Sequence, residues 1–598
     1  MLVLPVFFLT YKIISKRVSD LVAFPLTFAL VFTIYELLMY VLPFVQIDPF
    51  HILTSSLIQV APLVLTICLS TKILIQDLNI KNVNDLKTNW QRKVDYLYQL
   101  PSIVAVLIIV FSFIRLGAGS MAFVMSGDAR NHMWFSRFMI SEQGLNSNSA
   151  SFYPVLPDAM IALVRSGLGF YEKYSSNHLT LDLVSMSVMC LLVLILMSQA
   201  HIFIGKSILS PVSNFTMIAI ATLSMLPFTA LVSTVALADG FYPALFASLA
   251  LQVFFLAAKQ FTSKLYANQD YLILITILLL IPILASTWTI LLIFPFIYCA
   301  VFMLIKRKRL LQLFKIHRSV QLALLISLIG LALNLLPILS KGAASNYVKL
   351  PGAISPPPPL LIFTILILFL IYFIYSFYKL KKTETIFLLT ILITLLFTAL
   401  VLALIQDNHH YWNYYPAKFT WIALISLFPL LFSVAARDFS ENIRVLSLAL
   451  VPTMVLLIWS FSNSPWIKLD YFSSSRPQSV IYSGWYSPSS ISVNQVLKYG
   501  KKDTPIVFWE LADPSGDRLA NFWLATYLPA RFDNPVLATN YLRDWAYYEI
   551  PGDINSLCTF LIGSDLNWEI VTKNYNLESD IRTSCFNESL ENRIVFLQ

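Results

Sequence analysis

The sequence predicts a polytopic α-helical membrane protein of about 13–14 spans, with a small C-terminal α/β domain outside the membrane. Three observations carry this expectation. Of 598 residues, 58% are apolar and only 12% charged, about half of the roughly 25% charge of a soluble domain. Apolar runs long enough for a hydrocarbon core of about 30 Å recur along the first 463 positions. Beyond position 463 they stop, and the chain turns polar.

The apolar segments fall near 2–14, 21–44, 50–71, 98–118, 179–204, 214–237, 241–260, 270–286, 288–305, 319–339, 358–378, 384–405, 416–435 and 445–463. The first is short, a half-length span without the basic start and small-residue cleavage site of a removed signal. Lys and Arg in alternate connections number 22 in one set and six in the other. By the positive-inside bias, the richer set is cytoplasmic. The same bias explains the formal charge of +9 without nucleic acid as a partner. This alternation requires residues 270–305 to cross twice, with a break near Ala285-Ser286-Thr287. One continuous helix there would invert every later loop.

Three regions follow. Residues 1–97 hold the N-terminal spans and a cytoplasmic loop, and 98–463 form the main membrane module with a long outer loop at 119–178. Residues 464–598 form the extracytoplasmic domain, with strands expected at 505–509, 558–562, 568–571 and 594–597. Helices are expected there at 490–499, 515–528 and 577–584. Cys68, Cys190 and Cys299 fall in apolar segments as packing residues, whereas Cys558 and Cys585 fall in the polar domain. An oxidising compartment would allow the last two to bond.

The unusual polar residues segregate to the predicted outer face. Asp128 follows a span and precedes two amphipathic stretches, 129–142 and 156–169, suited to helices lying in the interface. At such a helix start the dipole favours an ionised carboxylate, as either a cap or a catalyst. His132 lies one turn on, placed to orient that carboxylate or bind a phosphate, and Arg130 and Arg137 are further candidate phosphate contacts. Tyr153 and Asp158 close the polar stretch, and Asp239 sits in an outer hairpin as a cap or a substrate contact. The run from Asp407 to Lys418 places His409, His410, Tyr411, Trp412, Tyr414 and Tyr415 at the start of one span. Tyr and Trp are ordinary interfacial anchors. A lysine inside the boundary calls for a polar cavity, and a lipid phosphate is its natural partner. Adjacent histidines at a helix start point about 100° apart, and no metal-ligand spacing occurs, so no divalent metal is assigned.

On these residues the chain resembles the GT-C superfamily of membrane glycosyltransferases, over about residues 98–435. The shared pattern is a span, a long outer loop with two interfacial helices, and an acid at the start of that loop, here Asp128. Asp128 and Arg130 with Phe152-Tyr153-Pro154 are similar to the actinobacterial arabinofuranosyltransferase branch, as is Tyr414-Tyr415-Pro416-Ala417-Lys418. The loop has no Asp-x-Asp or Glu-x-Asp pair, so the likeness does not extend to oligosaccharyltransferases. The resemblance implies inverting transfer from a polyprenyl-phosphate sugar to a cell-envelope glycan or glycolipid. Asp128 would act as general base. Arg130, His132, Tyr153, Asp158, Asp239, Asp407, His409, His410 and Lys418 would contact donor or acceptor. A lipid-linked glycan polymerase or ligase, and a flippase or transporter of lipid-linked sugars, are the alternatives. Transport would need ionisable groups at mid-membrane, and the span centres are almost free of charge.

Overall fold

The computed structural model describes residues 3–52, 89–116, 129–145, 155–167, 179–209, 214–228, 241–262, 269–340, 382–405, 414–439, 488–499, 503–510, 514–528, 532–534, 553–585 and 593–596, with isolated positions in 366–374 and 536–541. Over these residues the protein is a helical membrane bundle with a small strand-bearing unit at its C-terminal end.

Helix α1 (Val3–Ile14) has 12 residues, about 18 Å at 1.5 Å per residue and thus about half a bilayer core. It packs on α2 (Asp20–Val41), with Phe7 edge-on to Phe24. Helix α3 (Asn89–Leu116) precedes two 13-residue helices, α4 (Ala129–Ser141) and α5 (Val155–Gly167). These two lie where the amphipathic pattern predicts them. Then come α6 (Leu179–Ile208), α7 (Asn214–Met225), α8 (Tyr242–Thr262), α9 (Asp270–Thr287), α10 (Ile293–Ile316), α11 (Arg318–Ser340), α12 (Lys382–Ile405) and α13 (Tyr414–Phe439).

Six helical stretches among the described residues are long and apolar enough to cross a membrane: Asp20–Val45, Leu181–Ile208, Tyr242–Thr262, Asp270–Thr287, Arg318–Leu339 and Tyr415–Val434. A bent pair, Thr289–Phe302 with Leu304–Ile316, makes a seventh if taken as one span. The six match apolar segments of the sequence. Thr289–Phe302 matches 288–305, and Leu304–Ile316 falls in the basic connection after it. Segments 98–118, 214–237 and 384–405 overlap shorter apolar helices, Leu97–Phe111, Phe215–Phe228 and Leu389–Leu402. The expected segments 50–71, 358–378 and 445–463 fall mostly outside the described residues.

Hydropathy alone does not set a helix's place. Helix α9 is buried along its whole length, against α2, α8 and α11, as an all-round apolar helix must be. The more apolar α11 has only 22% of its best window buried, and Leu322, Leu325, Leu328, Ile329, Leu336 and Leu339 face outward. Its Gly330 lies under Pro282 of α9, where an added Cβ would come within 2.7 Å of the proline Cβ. The two backbones meet closely there.

The predicted break between two crossings falls one residue later than expected. Trp288 is extended (φ −163°, ψ 109°) and ends α9, and a short 3-10 turn leads into α10. Its indole packs on Tyr415 and Phe419 of α13. Helix α9 spans about 27 Å, so its ends mark the two faces of the bundle. At the Asp270 end, Arg309 pairs with Asp270, His317 stacks on Tyr271 at 4.3 Å, and Lys306 donates to the Phe261 carbonyl. This is the basic end, where the lysine- and arginine-rich connections gather. Past Phe302 the chain turns by 92°, so Leu304–Ile316 runs across the bundle axis with Arg307, Lys308 and Lys315 exposed. At the Trp288 end lie α4, α5 and the starts of α8 and α13.

In the C-terminal unit, α14 (Pro488–Tyr499) and α15 (Pro514–Tyr527) flank β1 (Ile506–Phe508). Then follow α16 (Ile554–Gly563), β2 (Glu569–Thr572), α17 (Leu577–Cys585) and β3 (Ile594–Phe596). The strands form a parallel sheet in the order β1-β2-β3, with Ile506 opposite Glu569 and Ile570 opposite Ile594. The expected strand at 558–562 is instead part of α16. Asp553 caps that helix by accepting from the Ser556 amide at 2.7 Å, and Leu557, Cys558, Phe560 and Leu561 turn one face inward. Cys558 and Cys585 form a disulfide that staples α16 to α17. Cys190 is buried and Cys299 half-buried, both as free packing residues; Cys68 lies outside the described residues.

Candidate active site at the loop end

Helices α4 and α5 meet because each has one apolar stripe and a few polar residues aimed at the other. Met133, Met139 and Ile140 of α4 are buried, and almost all of α5 is enclosed. Within that contact, His132 Nδ1 lies 3.0 Å from Asp158 Oδ1, with both side chains fully buried. Ser136 seals the seam by donating to the carbonyls of His132 and Asp158. The carboxylate on His132 Nδ1 belongs to Asp158; Asp128, which the sequence offers as a partner of His132, lies outside the described residues. Asp158 Oδ1 is thereby held against a side chain of the protein.

The opposite edge of the His132 ring meets α8. Tyr242 stands edge-on to it at 5.8 Å, and its buried hydroxyl has no hydrogen-bond partner among the described residues. Phe241, just before Tyr242, lies beneath the Lys418 ammonium at 4.8 Å, a cation–π contact. Lys418 is buried at the fifth position of α13. The start of α8 thus meets two groups from distant parts of the chain, the His132–Asp158 pair at Tyr242 and Lys418 at Phe241. Arg130 departs from this group. It faces the C-terminal unit, where burial pulls its guanidinium down to about 10 against the opposing influence of the nearby Tyr541.

A second polar centre lies alongside. Asp182, in the first turn of α6, accepts from Arg137 Nη2, from Arg165 Nε at 2.8 Å and from the Tyr527 hydroxyl at 2.8 Å. The Arg137 guanidinium also sits 4.5 Å over the Tyr527 ring. Burial beside Asp182 pushes the Tyr527 phenol well above its ordinary range. Arg137, expected as a phosphate contact, is thus engaged with an internal carboxylate. Four elements (α4, α5, α6 and α15) meet at this one carboxylate.

No family model, curated protein or solved structure matches the chain. The site therefore rests on its own geometry.

Asp128, Tyr153, Asp239, Asp407, His409 and His410 lie outside the described residues. By sequence Asp128 directly precedes Ala129, the first residue of α4, and Asp239 stands three positions before Tyr242. Among the described residues no group of three His, Cys, Asp or Glu side chains has the spacing to hold a metal ion. Sequence reasoning passed over Tyr242, Asp182 and Tyr527. An acid in the first turn of a span was the one available signal, and it pointed to Asp182. It also passed over Glu36 in α2, which is buried and accepts from Asn334 Nδ2 at 2.6 Å; Asn334 Oδ1 accepts from the Tyr40 hydroxyl at 3.0 Å.

Proposed function

We propose that the protein is a membrane glycosyltransferase of GT-C type. It would move a sugar from a polyprenyl-phosphate donor to a cell-envelope glycan or glycolipid. The observation that carries this reading is the buried His132–Asp158 pair, met by Tyr242 of α8, in the first turns of α4, the helix that Asp128 immediately precedes, with Lys418 buried over the neighbouring Phe241. In this reading Asp128 removes the proton of an acceptor hydroxyl as that oxygen bonds to the anomeric carbon. The bond from that carbon to the phosphate oxygen breaks, inverting the centre, and the polyprenyl phosphate departs. His132, held by Asp158, offers its ring to that phosphate as a hydrogen-bond partner, and Lys418, held over Phe241, supplies positive charge. The Tyr242 hydroxyl offers a hydrogen bond to the sugar.

The loop end is extracytoplasmic in this reading. Two independent features support that side: 22 basic residues against six in the alternate connections, and the Cys558–Cys585 disulfide in the C-terminal unit. The polymerase or ligase alternative uses the same chemistry with a lipid-linked glycan as acceptor. The test is Asp128→Asn in purified protein supplied with a labelled polyprenyl-phosphate sugar. Loss of a general base costs roughly 10²–10⁴ in rate. Activity within a few-fold of wild type would sink the assignment.

Glu36 favours one other reading, transport of a lipid-linked sugar, because a carboxylate enclosed within a span is a common mark of a translocation path. Proteoliposomes separate the two. A transporter moves the lipid across the bilayer without transferring its sugar, and Glu36→Gln slows that movement.

A further inference from the structure

We infer that the C-terminal unit is a clamp on the catalytic loop, and that Tyr527 is the positioning residue through which it acts. The contact is made by α15, whose last residue, Tyr527, reaches Asp182 across 345 positions of chain. Arg137 of α4 and Arg165 of α5 reach the same carboxylate, so the two loop helices and the C-terminal unit share one anchor. A second contact runs parallel to the first. Arg130 lies seven residues before Arg137 on α4, hence on the same face, and Tyr541 of the C-terminal unit stands close enough to act on its charge.

Helix α4 is therefore held from two sides. One face carries His132 and Ser136 against α5 and α8. The other carries Arg130 and Arg137 against Tyr541 and Tyr527. A shift of the C-terminal unit along α15 moves Arg137 and with it the helix that begins one residue after Asp128. Asp182, Arg165 and Tyr527 are fully enclosed and Arg137 nearly so, which makes the anchor stiff: it cannot trade its bonds for water without opening. The clamp stands on this geometry alone, and its effect on sugar transfer rests on the transferase reading.

The probing substitution is Tyr527→Phe, which deletes one hydroxyl and keeps the ring under Arg137. Hydrogen–deuterium exchange of the full-length protein in detergent micelles reads the state of α4 directly. Amides of 129–141 should exchange about tenfold faster or more, as expected for the loss of one hydrogen bond to a charged group. Tyr575→Phe, at an exposed tyrosine of the same unit, should change nothing. In the transfer assay Tyr527→Phe should lower kcat about tenfold with the KM for the polyprenyl-phosphate sugar unchanged. Unchanged exchange over 129–141 would overturn the clamp whatever the activity. Faster exchange with kcat unchanged would overturn the positioning role. If the wild-type protein transfers no sugar, the transferase reading fails while the exchange result still decides the clamp.

Discussion

Replacing Asp182 by alanine leaves two guanidinium groups and a phenol in an enclosed space with their common acceptor gone. Asp182 and Arg165 are fully buried, and the Arg137 side chain is only 5% exposed, so water cannot take over the lost contacts. Breaking a buried pair by removing one partner costs about 3–5 kcal/mol, most of it the stranded charge. Two cations bond to this one carboxylate, which places Asp182→Ala towards the upper end. For a cooperative unit of about 200 residues, each kcal/mol is worth about 2–4 °C, so the melting midpoint should fall by roughly 6–20 °C. The measurement is thermal unfolding of the purified protein in detergent, followed by tryptophan fluorescence. The informative control removes all four groups together: Asp182→Leu, Arg137→Met, Arg165→Met and Tyr527→Phe. Without stranded charge or hydroxyl, that variant should recover most of the loss. A single substitution no worse than the quadruple one, or costing under about 1 kcal/mol, would show that the charges are solvated and that the reasoning from burial is wrong.

Other consequences are open to measurement. Gly330→Ala drives a methyl group to within 2.7 Å of the rigid Pro282 ring and should cost about 1–3 kcal/mol in the same melt, the usual range for overpacking. Reducing Cys558–Cys585 frees a loop of 27 residues; on loop-closure entropy this should destabilise the C-terminal unit by about 3.5 kcal/mol, seen as earlier unfolding with dithiothreitol. The amide and hydroxyl of Ser556 hold the Asp553 carboxyl below its ordinary range. Below about pH 4 the unfolded chain takes up that proton more readily than the folded one. The cap's contribution is thus complete above that pH and disappears as pH falls through the folded value. Exchange protection of 554–563 should weaken on acidification in wild type and be less sensitive in Asp553→Asn; equal acid sensitivity would discard the cap.

The membrane bundle was legible because a span announces itself in a single stretch of chain. Apolar runs placed α2, α6, α8, α9, α11 and α13 to within a few residues. Charge alternation alone required the break that Trp288 makes. The helix α16 was misread from too short a window: Cys558-Thr559-Phe560-Leu561-Ile562 is continuous in apolarity like a buried strand. Extending the window back to Asp553 reveals a cap and a helical stripe. What single residues in the sequence do not show is how they pair. His132 and Asp158 both stood out as polar groups in an amphipathic loop, yet their contact depends on how α4 crosses α5. Asp182 was hidden by its apolar neighbours, and nothing local to Tyr527 marks it as the partner of a carboxylate 345 positions earlier.

That separation has a bearing on how the protein is made. Arg137, Arg165 and Asp182 leave the ribosome close together, but Tyr527 follows Asp182 by 345 residues, roughly 20–70 s at 5–20 residues per second. During that interval the loop helices hold two cations against one acid with the aromatic lid absent. Helix α15 closes a centre that the first half has already laid down, so the full set of bonds at Asp182 forms only once Tyr527 has been synthesised. Assembly of the loop end is thereby coupled to the arrival of α15.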